Sequence, residues 1–401
     1  MKLVQINVTN FGSTGKIMRG IKSVAEKNDI ECITFALKPQ KAPKGKNEDG
    51  VCVFSNFYEY ALHYYMSKFT GSELLGSYFG TAKLIKRIKK YNPDVIHLHN
   101  IHGRYINIPL LFRYLKKSKK KIVWTLHDCW AFTGHCPHFV YQNCYKWKTG
   151  CYNCPRFKEY PETVFDDSKK MYKLKRKWFS GIENLTLVTP SKWLAELTKE
   201  SFLKNYPVKV INNGIDLNTF KPTESDFKEK YNCEDKFLIL GVAFKWGDKK
   251  GLDIFTSLSK RLDDRFQIVL VGTDDVVDKQ LPDNIISIHR TNNRQELAEI
   301  YTAADLFVNP TREENYPTVN MESLACGTPV ITFNTGGSPE IIDKTCGVVV
   351  PKDDLEALYN EIIEISKENP YSKGNCLKKA EDFNMNDRFE EYIKLYEVID
   401  E

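Results

Sequence analysis

The sequence has no apolar run long enough to cross a bilayer, which takes roughly 18 residues, so no membrane-spanning helix is expected. Internal repeats and low-complexity tracts are also missing, which argues against a solenoid or a disordered scaffold. The N-terminus enters an apolar run at Lys2 without the pattern of a signal or transit peptide. A cytoplasmic protein is therefore expected, whose eleven cysteines are thiols or metal ligands rather than disulfides. A nucleotide-hydrolysing P-loop is absent too. "GSTGK" (Gly12–Lys16) imitates one, but that motif needs Gly, four residues, then Gly-Lys-Ser/Thr. Asn10 stands where the first glycine belongs, and Ile17 has no hydroxyl for magnesium.

What is present reads as globular. The chain has 401 residues, 42% hydrophobic and 27% charged, enough for about two or three domains. The net charge of +6 is uneven. "KLIKRIKK" (Lys83–Lys90), "KKSKKK" (Lys116–Lys121) and "KKMYKLKRKW" (Lys169–Trp178) all lie in the first half. Clustered cations attract anionic surfaces, and a membrane surface fits best; solvated helix faces are the plain alternative.

Apolar runs recur along the chain: "KLVQINV", "DVIHLHN", "KIVWTLHD", "LTLVTPS", "FLILGVAF", "QIVLVG", "IISIHR", "DLFVNPT", "PVITFN" and "GVVVPKD". Most are separated by helix-like stretches, which predicts βαβ units and parallel, doubly wound sheets. The runs form the core, and the polar residues after them form the candidate site, because open α/β sheets bind ligands beyond the carboxyl ends of their strands. The turns of "NYPVKVINNGIDLNTFKP" mark a break near residues 200–215. The expected division is a first domain over 1–204, a second over 205–380, and a C-terminal helix over 381–401 returning to the first. Residues 128–167 form an atypical, Cys-rich excursion.

The most informative stretch is "TREENYPTVNMESLACGTPVITFNTGGSPEIID" (Thr311–Asp343). Pro317 suits the first turn of a helix and Gly327 its end. The amides around Tyr316, Pro317 and Thr318 then surround a positive helix end that can hold a diphosphate, Pro317 itself having no N–H. Glu322, one turn into the helix, can accept hydrogen bonds from ribose hydroxyls. Glu314, in the preceding loop, sits where sugar hydroxyls would be. Similarly, "KLVQINV", the glycine turn and "KIMRGIKSVAEK" read as strand, turn and helix, an anion-facing arrangement.

This stretch resembles the E-x7-E region of the family 4 retaining glycosyltransferases of GT-B fold. The glycine turn, "VIHLHN", "TLHD", "INNGID", "FKWGDKKG" and the E-x7-E region follow in that family's order. The "TLHDCWAFTGHC" segment is similar to enzymes of bacterial exopolysaccharide and colanic-acid-type assembly. The resemblance implies two Rossmann-like domains with a cleft between them. It also implies a retaining, metal-independent hexosyltransferase that uses a UDP- or GDP-sugar. The acceptor would be a saccharide or polyprenyl-linked saccharide of exopolysaccharide, lipopolysaccharide or capsule synthesis, at the inner face of the membrane. The implied roles are residue by residue. Lys245, where the family usually has Arg, and Lys250 would neutralise the leaving diphosphate. Gly15 would offer its amide to the same group, and His127 would face the reacting sugar. Glu314, Asn315, Tyr316, Pro317, Thr318 and Glu322 would hold the donor.

"HCPHFVYQNCYKWKTGCYNCP" carries Cys136, Cys144, Cys151 and Cys154. The last pair has zinc-knuckle spacing, so a structural zinc stands beside the alternative of reduced thiols; His135 and His138 are spare ligands. His97, His99 and His102 are expected to be structural. Two other function classes compete. One is a nucleotide-sugar epimerase, which would need no acceptor. The other is a basic, zinc-bearing nucleic-acid-binding protein, for which no reading module is found; no nucleic-acid partner is expected.

Overall fold

The computed structural model describes residues 1–37 and 51–398. Its contacts divide the chain into two compact units, Met1–Ile211 with Arg388–Glu401, and Asn212–Asp387.

The first unit is built on a seven-stranded sheet. Its strands are β1 (Lys2–Ile6), β2 (Glu31–Ala36), β3 (Val51–Val53), β4 (Val95–Leu98), β5 (Lys121–Thr125), β6 (Leu185–Thr189) and β7 (Val208–Val210). The order is β3-β2-β1-β4-β5-β6-β7 and every pairing is parallel. β4, β5 and β6 are almost wholly buried. That explains their continuous apolar sequences, since helices cover both faces of a parallel sheet. Three strands escape the sequence reading. "ECITFA" in β2 begins on polar residues, while β3 and β7 are three-residue edge strands with incomplete burial. β7 lies inside the stretch read as the break.

The second unit holds β8 (Phe237–Val242), β9 (Phe266–Val271), β10 (Ile285–Ile288), β11 (Leu306–Asn309), β12 (Val330–Phe333) and β13 (Gly347–Val350). Their order is β10-β9-β8-β11-β12-β13, again all parallel. Both sheets reverse direction of winding beside their first strand, the topology that places ligands beyond the carboxyl ends of the central strands.

The last helix, Met385–Glu397, buries Phe389, Tyr392, Ile393 and Tyr396, the positions its helical spacing singles out. From Arg388 on it belongs to the first unit. A Cβ on Gly20 would come within 2.0 Å of the Phe389 ring, so Gly20 makes room for this helix. The Tyr396 hydroxyl bonds His97 Nδ1 at 2.6 Å, and Tyr392 stacks on the same imidazole.

Two expectations about local structure need correction. The helix after β1 begins at Gly12 rather than beyond Gly15, so "GSTG" is its first turn. Pro317 occupies the N-cap position, one residue before the helix Thr318–Ala325, instead of the first turn proper. Its ψ of 117° is extended, which orients the chain into the helix.

Candidate active site

In the second unit, the segments following the adjacent strands β8, β11 and β12 carry the chemistry. After β8 the chain passes exposed Lys245 and turns through Asp248–Lys250. Gly251 then adopts φ +74°. A Cβ there would meet the Pro310 carbonyl at 2.6 Å, so glycine is needed for the close approach of the loops after β8 and β11. Arg312 ties the loops together. Its guanidinium donates to both carboxylate oxygens of Asp253, at 2.6 and 2.7 Å, to the Asp248 carbonyl and to Asp353. This bidentate, charge-assisted clamp is strong and directional. Burial works to raise the Asp253 carboxyl, but Arg312 overcomes it and holds the pKa below the usual value.

The clamp sets Lys250 against Glu314. Lys250 Nζ lies 2.5 Å from Glu314 Oε2, and Glu314 Oε1 accepts the Asn315 N–H at 3.2 Å. Both side chains remain partly exposed, at 34% and 24%. Glu314 is therefore a partly exposed carboxylate paired with a partly exposed ammonium, three residues before the Pro317 N-cap. Pro317 offers no side-chain cap to the helix Thr318–Ala325, and the first-turn amides of a helix have no intrahelical acceptor. Tyr316 is buried, and Thr318 is half-buried. Glu322, on the second turn, accepts from the Tyr301 hydroxyl at 3.3 Å. After β12, Gly336 crosses so close to Glu314 that a Cβ would lie 1.9 Å from its carbonyl oxygen. The structure thus gathers Lys250, Glu314, Asn315 and the head of one helix, with Glu322 beyond. Lys245 stands on the exposed part of the same loop.

In the first unit, the ends of β1, β4 and β5 form a separate cluster. Asn7 donates to Thr14 Oγ1 at 3.1 Å and accepts the Asn100 N–H at 3.2 Å. Gly15 is buried in the first helix, where a Cβ would sit 2.4 Å from the Asn10 carbonyl carbon. Its glycine identity has that packing cause. His127, half-buried, lies 3.2 Å from His99 Nδ1 in a stacked pair, and His99 Nε2 bonds Gln5 at 3.0 Å. Burial pushes the His127 pKa down to about 4, Asp128 opposing it in part, so the ring is neutral at pH 7. His97 bonds Thr125 and Tyr396. His97 and His99 thus hold strands and the last helix together.

Sequence reasoning missed a buried charge network next to His127. Asp128 bonds His102 Nε2 at 3.0 Å and the Trp130 N–H at 2.9 Å. Trp130 Nε1 donates to Glu73 at 3.0 Å. Lys175 is fully buried, donates to the Trp130 carbonyl at 2.8 Å and lies 3.6 Å from the centre of its ring. Burial works to raise the Asp128 carboxyl, but His102 pulls it down to about 2. Burial also pushes Lys175 down to about 8, against the pull of Glu73. Lys175 is thus one cation of "KKMYKLKRKW" that faces the interior rather than an anionic surface or solvent. The signal was available: Met171, Tyr172, Lys175 and Phe179 share one face of the helix Ser168–Phe179, and all are buried.

With this geometry in view, the comparisons with known proteins are decisive. The family described as Glycosyltransferase Family 4 matches residues 54–219. The family described as Glycosyl transferases group 1 matches residues 234–368. The chain belongs to these glycosyltransferases. The putative colanic acid biosynthesis glycosyl transferase WcaC of Escherichia coli K12 is 25% identical over 304 residues, 74% of this chain and 72% of WcaC. A Campylobacter jejuni enzyme named N,N'-diacetylbacillosaminyl-diphospho-undecaprenol alpha-1,3-N-acetylgalactosaminyltransferase is 27% identical over 224 residues, 51% of this chain and 58% of that one. Among solved structures, Anabaena HepE in complex with UDP superposes with a TM-score of 0.70 at 16% identity, over 100% of both chains. That likeness establishes the GT-B fold for this glycosyltransferase. Its donor, stereochemistry and acceptor need separate argument.

Proposed function

We propose that this glycosyltransferase moves a hexose from a UDP- or GDP-sugar to a hydroxyl of a saccharide or lipid-linked saccharide in cell-surface polysaccharide synthesis, with retention of anomeric configuration. One observation carries the reading: the Lys250–Glu314 pair, 2.5 Å apart, with Glu314 on the loop that leads into a helix whose N-cap residue is Pro317. A diphosphate supplies acceptor atoms to amides that have no intrahelical partner, and its charge suits the helix end. HepE was solved with UDP, which favours UDP over GDP as the first donor to test. WcaC and the undecaprenol-linked Campylobacter enzyme favour a polysaccharide precursor as acceptor.

The roles follow from the chemistry. Lys245 and Lys250 balance the diphosphate as the glycosidic bond breaks, so the departing charge is met by cations already in the chain. Lysine keeps the charge at 245 but gives up the bidentate fork that arginine would offer. Glu314 restrains Lys250 before the donor arrives and afterwards accepts from the sugar hydroxyls. Asn315, Tyr316 and Thr318 present backbone around the phosphates, Pro317 fixes their approach, and Glu322 holds the ribose. The acceptor attacks from the face the diphosphate leaves, which preserves the configuration without a protein nucleophile. In the first unit, Gly15 serves the phosphates and His127, as a neutral imidazole, serves the reacting sugar.

The acceptor side also fits a lipid surface. Tyr58, Leu62, Tyr65 and Phe69 form one exposed stripe on the helix Phe57–Thr70, and Phe57, Tyr78 and Phe79 are exposed as well. Lys83, Lys86 and Lys90 are exposed on the next helix, Tyr78–Tyr91. Amphipathic aromatic groups beside lysines suit an anionic bilayer interface.

Titration of the purified chain with UDP, GDP and their sugars tests the donor site. One nucleoside diphosphate should bind preferentially, and Glu322→Ala should weaken it about 10- to 100-fold. Unchanged affinity in that variant would remove the ribose role. Sedimentation with anionic and zwitterionic vesicles tests the lipid contact, which fails if Tyr65→Ser/Phe69→Ser binds like the parent.

A further inference from the structure

The segment between β5 and the helix Ser168–Phe179 is long and almost devoid of regular structure. A single 3-10 turn, Lys146–Lys148, interrupts residues 126–167. Loops beyond about 12–15 residues without their own secondary structure are uncommon in compact domains. Yet this one buries Trp130, Phe132, Phe139 and Trp147 at 2% exposure or less. An irregular segment with so much buried surface needs a fastening.

The four cysteines supply candidates. Cys136, Cys144, Cys151 and Cys154 line one cavity of about 20 Å³, together with His135. That is room for a single water-sized or ion-sized occupant, which needs roughly 10–15 Å³. The thiols are free. Cys136 and Cys154 are hydrogen-bonded to each other through their side chains. Backbone N–H groups are aimed at the sulfurs: Gly134 donates to Cys151 Sγ at 3.0 Å, and Arg156 donates to Cys154. Such donors stabilise thiolates and orient them as ligands. Gly134 can do this only as glycine, since a Cβ would stand 2.5 Å from Cys151 Cβ and 2.4 Å from the Ser168 carbonyl. Lys175 and Arg156 place positive charge near the same sulfurs.

His135 points independently to a metal. It is only 7% exposed, and its Nε2 has no hydrogen-bond partner. The ring bonds the backbone of Glu159. A histidine that gives its other N–H to a carbonyl presents a lone pair at Nε2, the arrangement usual in metal-ligating histidines. An orphaned nitrogen beside four thiols in an ion-sized cavity has no better acceptor than a soft cation.

We propose that this segment binds one structural zinc ion through Cys136, Cys151 and Cys154, with the fourth position filled by Cys144 or His135. The only three-residue cluster among the described residues with ligand atoms within 4.8 Å of one another is the exposed Asp275, Asp278 and His289. The sulfurs around the cavity are therefore more widely set than in a closed site, and binding draws them inward by rotamer changes. Each ligating thiol gives up its proton to solvent as its sulfur bonds zinc, so uptake releases protons and strengthens with pH. Four-coordinate sites with nitrogen and sulfur ligands are the usual structural form.

The test uses the full chain without a metal-binding tag, purified without chelators. About one zinc per chain is expected by elemental mass spectrometry. Refolding with cobalt(II) should give the intense long-wavelength absorption of a tetrahedral thiolate complex, which reports ligands without reference to activity. Cys151→Ser/Cys154→Ser should abolish both signals, and the parent's cobalt spectrum decides the matter if that variant does not fold. Zinc lost in His135→Ala but kept in Cys144→Ala assigns nitrogen to the fourth position, and the reverse assigns sulfur. Zinc below about a fifth of an equivalent with no cobalt–thiolate absorption overturns the proposal. So does full retention in the double cysteine variant.

Discussion

The two units treat charge in opposite ways. In the second, Lys250 and Glu314 remain partly exposed and each can exchange its partner for a ligand. In the first, Glu73 and Lys175 are buried and held by several groups at once. Loop length accounts for much of the difference. Only residues 310–317 separate β11 from its helix, whereas residues 126–167 follow β5. A short loop leaves its side chains at the sheet edge. A long one packs over charges from elsewhere, as Trp130 does over Glu73 and Lys175, and turns them into architecture. Proximity to a strand end therefore identifies candidate residues, and partial exposure separates charges open to a ligand from structural ones.

The sharpest way to break this comparison is to delete one lysine from each unit. Burial works to raise the Glu73 carboxyl, and Lys175→Met removes the buried ammonium whose charge helps hold it below its usual pKa. Leaving a buried charge uncompensated costs about 3 kcal/mol. The first unit should unfold at lower denaturant, with donor affinity intact in whatever remains folded. Lys250→Ala should leave the unfolding midpoint nearly unchanged and lower kcat/KM about 10²- to 10³-fold, the usual cost of losing a group that stabilises departing charge. A stable Lys175→Met variant, or a Lys250→Ala variant that unfolds early, would erase the distinction. Lys245→Arg is a smaller probe. It restores the fork for the diphosphate, so donor affinity should hold or rise a few-fold. A large loss by equilibrium titration would place Lys245 away from the phosphates.

The sequence disclosed the second unit's candidate site more fully than the first's. Pro317, Gly327 and two spaced glutamates are local signals, and a local helix arranges them as expected, apart from the one-residue displacement of Pro317. Strands β1, β4, β5, β6, β8, β9, β11 and β12 were legible because burial on both faces demands continuous apolar runs, and the edge strands β10 and β13 kept apolar runs although they are only partly buried. β2, β3 and β7 were not, because edge or polar positions lift that demand. Glu73, His102, Asp128 and Lys175 converge from four separate places in the chain. Only the helical phase of Lys175 betrayed its burial. The Arg312 clamp was equally hidden, since Asp253 and Asp353 reach it from distant segments.

A further contrast concerns pH, and it again separates the units. His97, His99 and His127 lie in the first unit, and burial lowers all three from the ordinary 6.5, His127 to about 4. A histidine with a lowered folded pKa binds fewer protons in the native state. The unfolded chain therefore gains protons first as pH falls from about 6.5, and stability declines toward about 4. In the second unit His289 is shifted the other way, chiefly by its hydrogen bond to Asp278, so its contribution is retained through the same range. The lowered carboxyls of Asp253, Asp278 and Asp343 lose stability only as pH falls below about 3.8. Acidification from pH 7.5 to 5 should thus loosen the first unit while sparing the second. Hydrogen exchange, corrected for intrinsic rates, can read each sheet separately. His127→Gln should recover less than about 2 kcal/mol of the loss at pH 5, since its half-exposed ring stays partly solvated. Equal loosening of both sheets would mean that the buried histidines do not set the acid response.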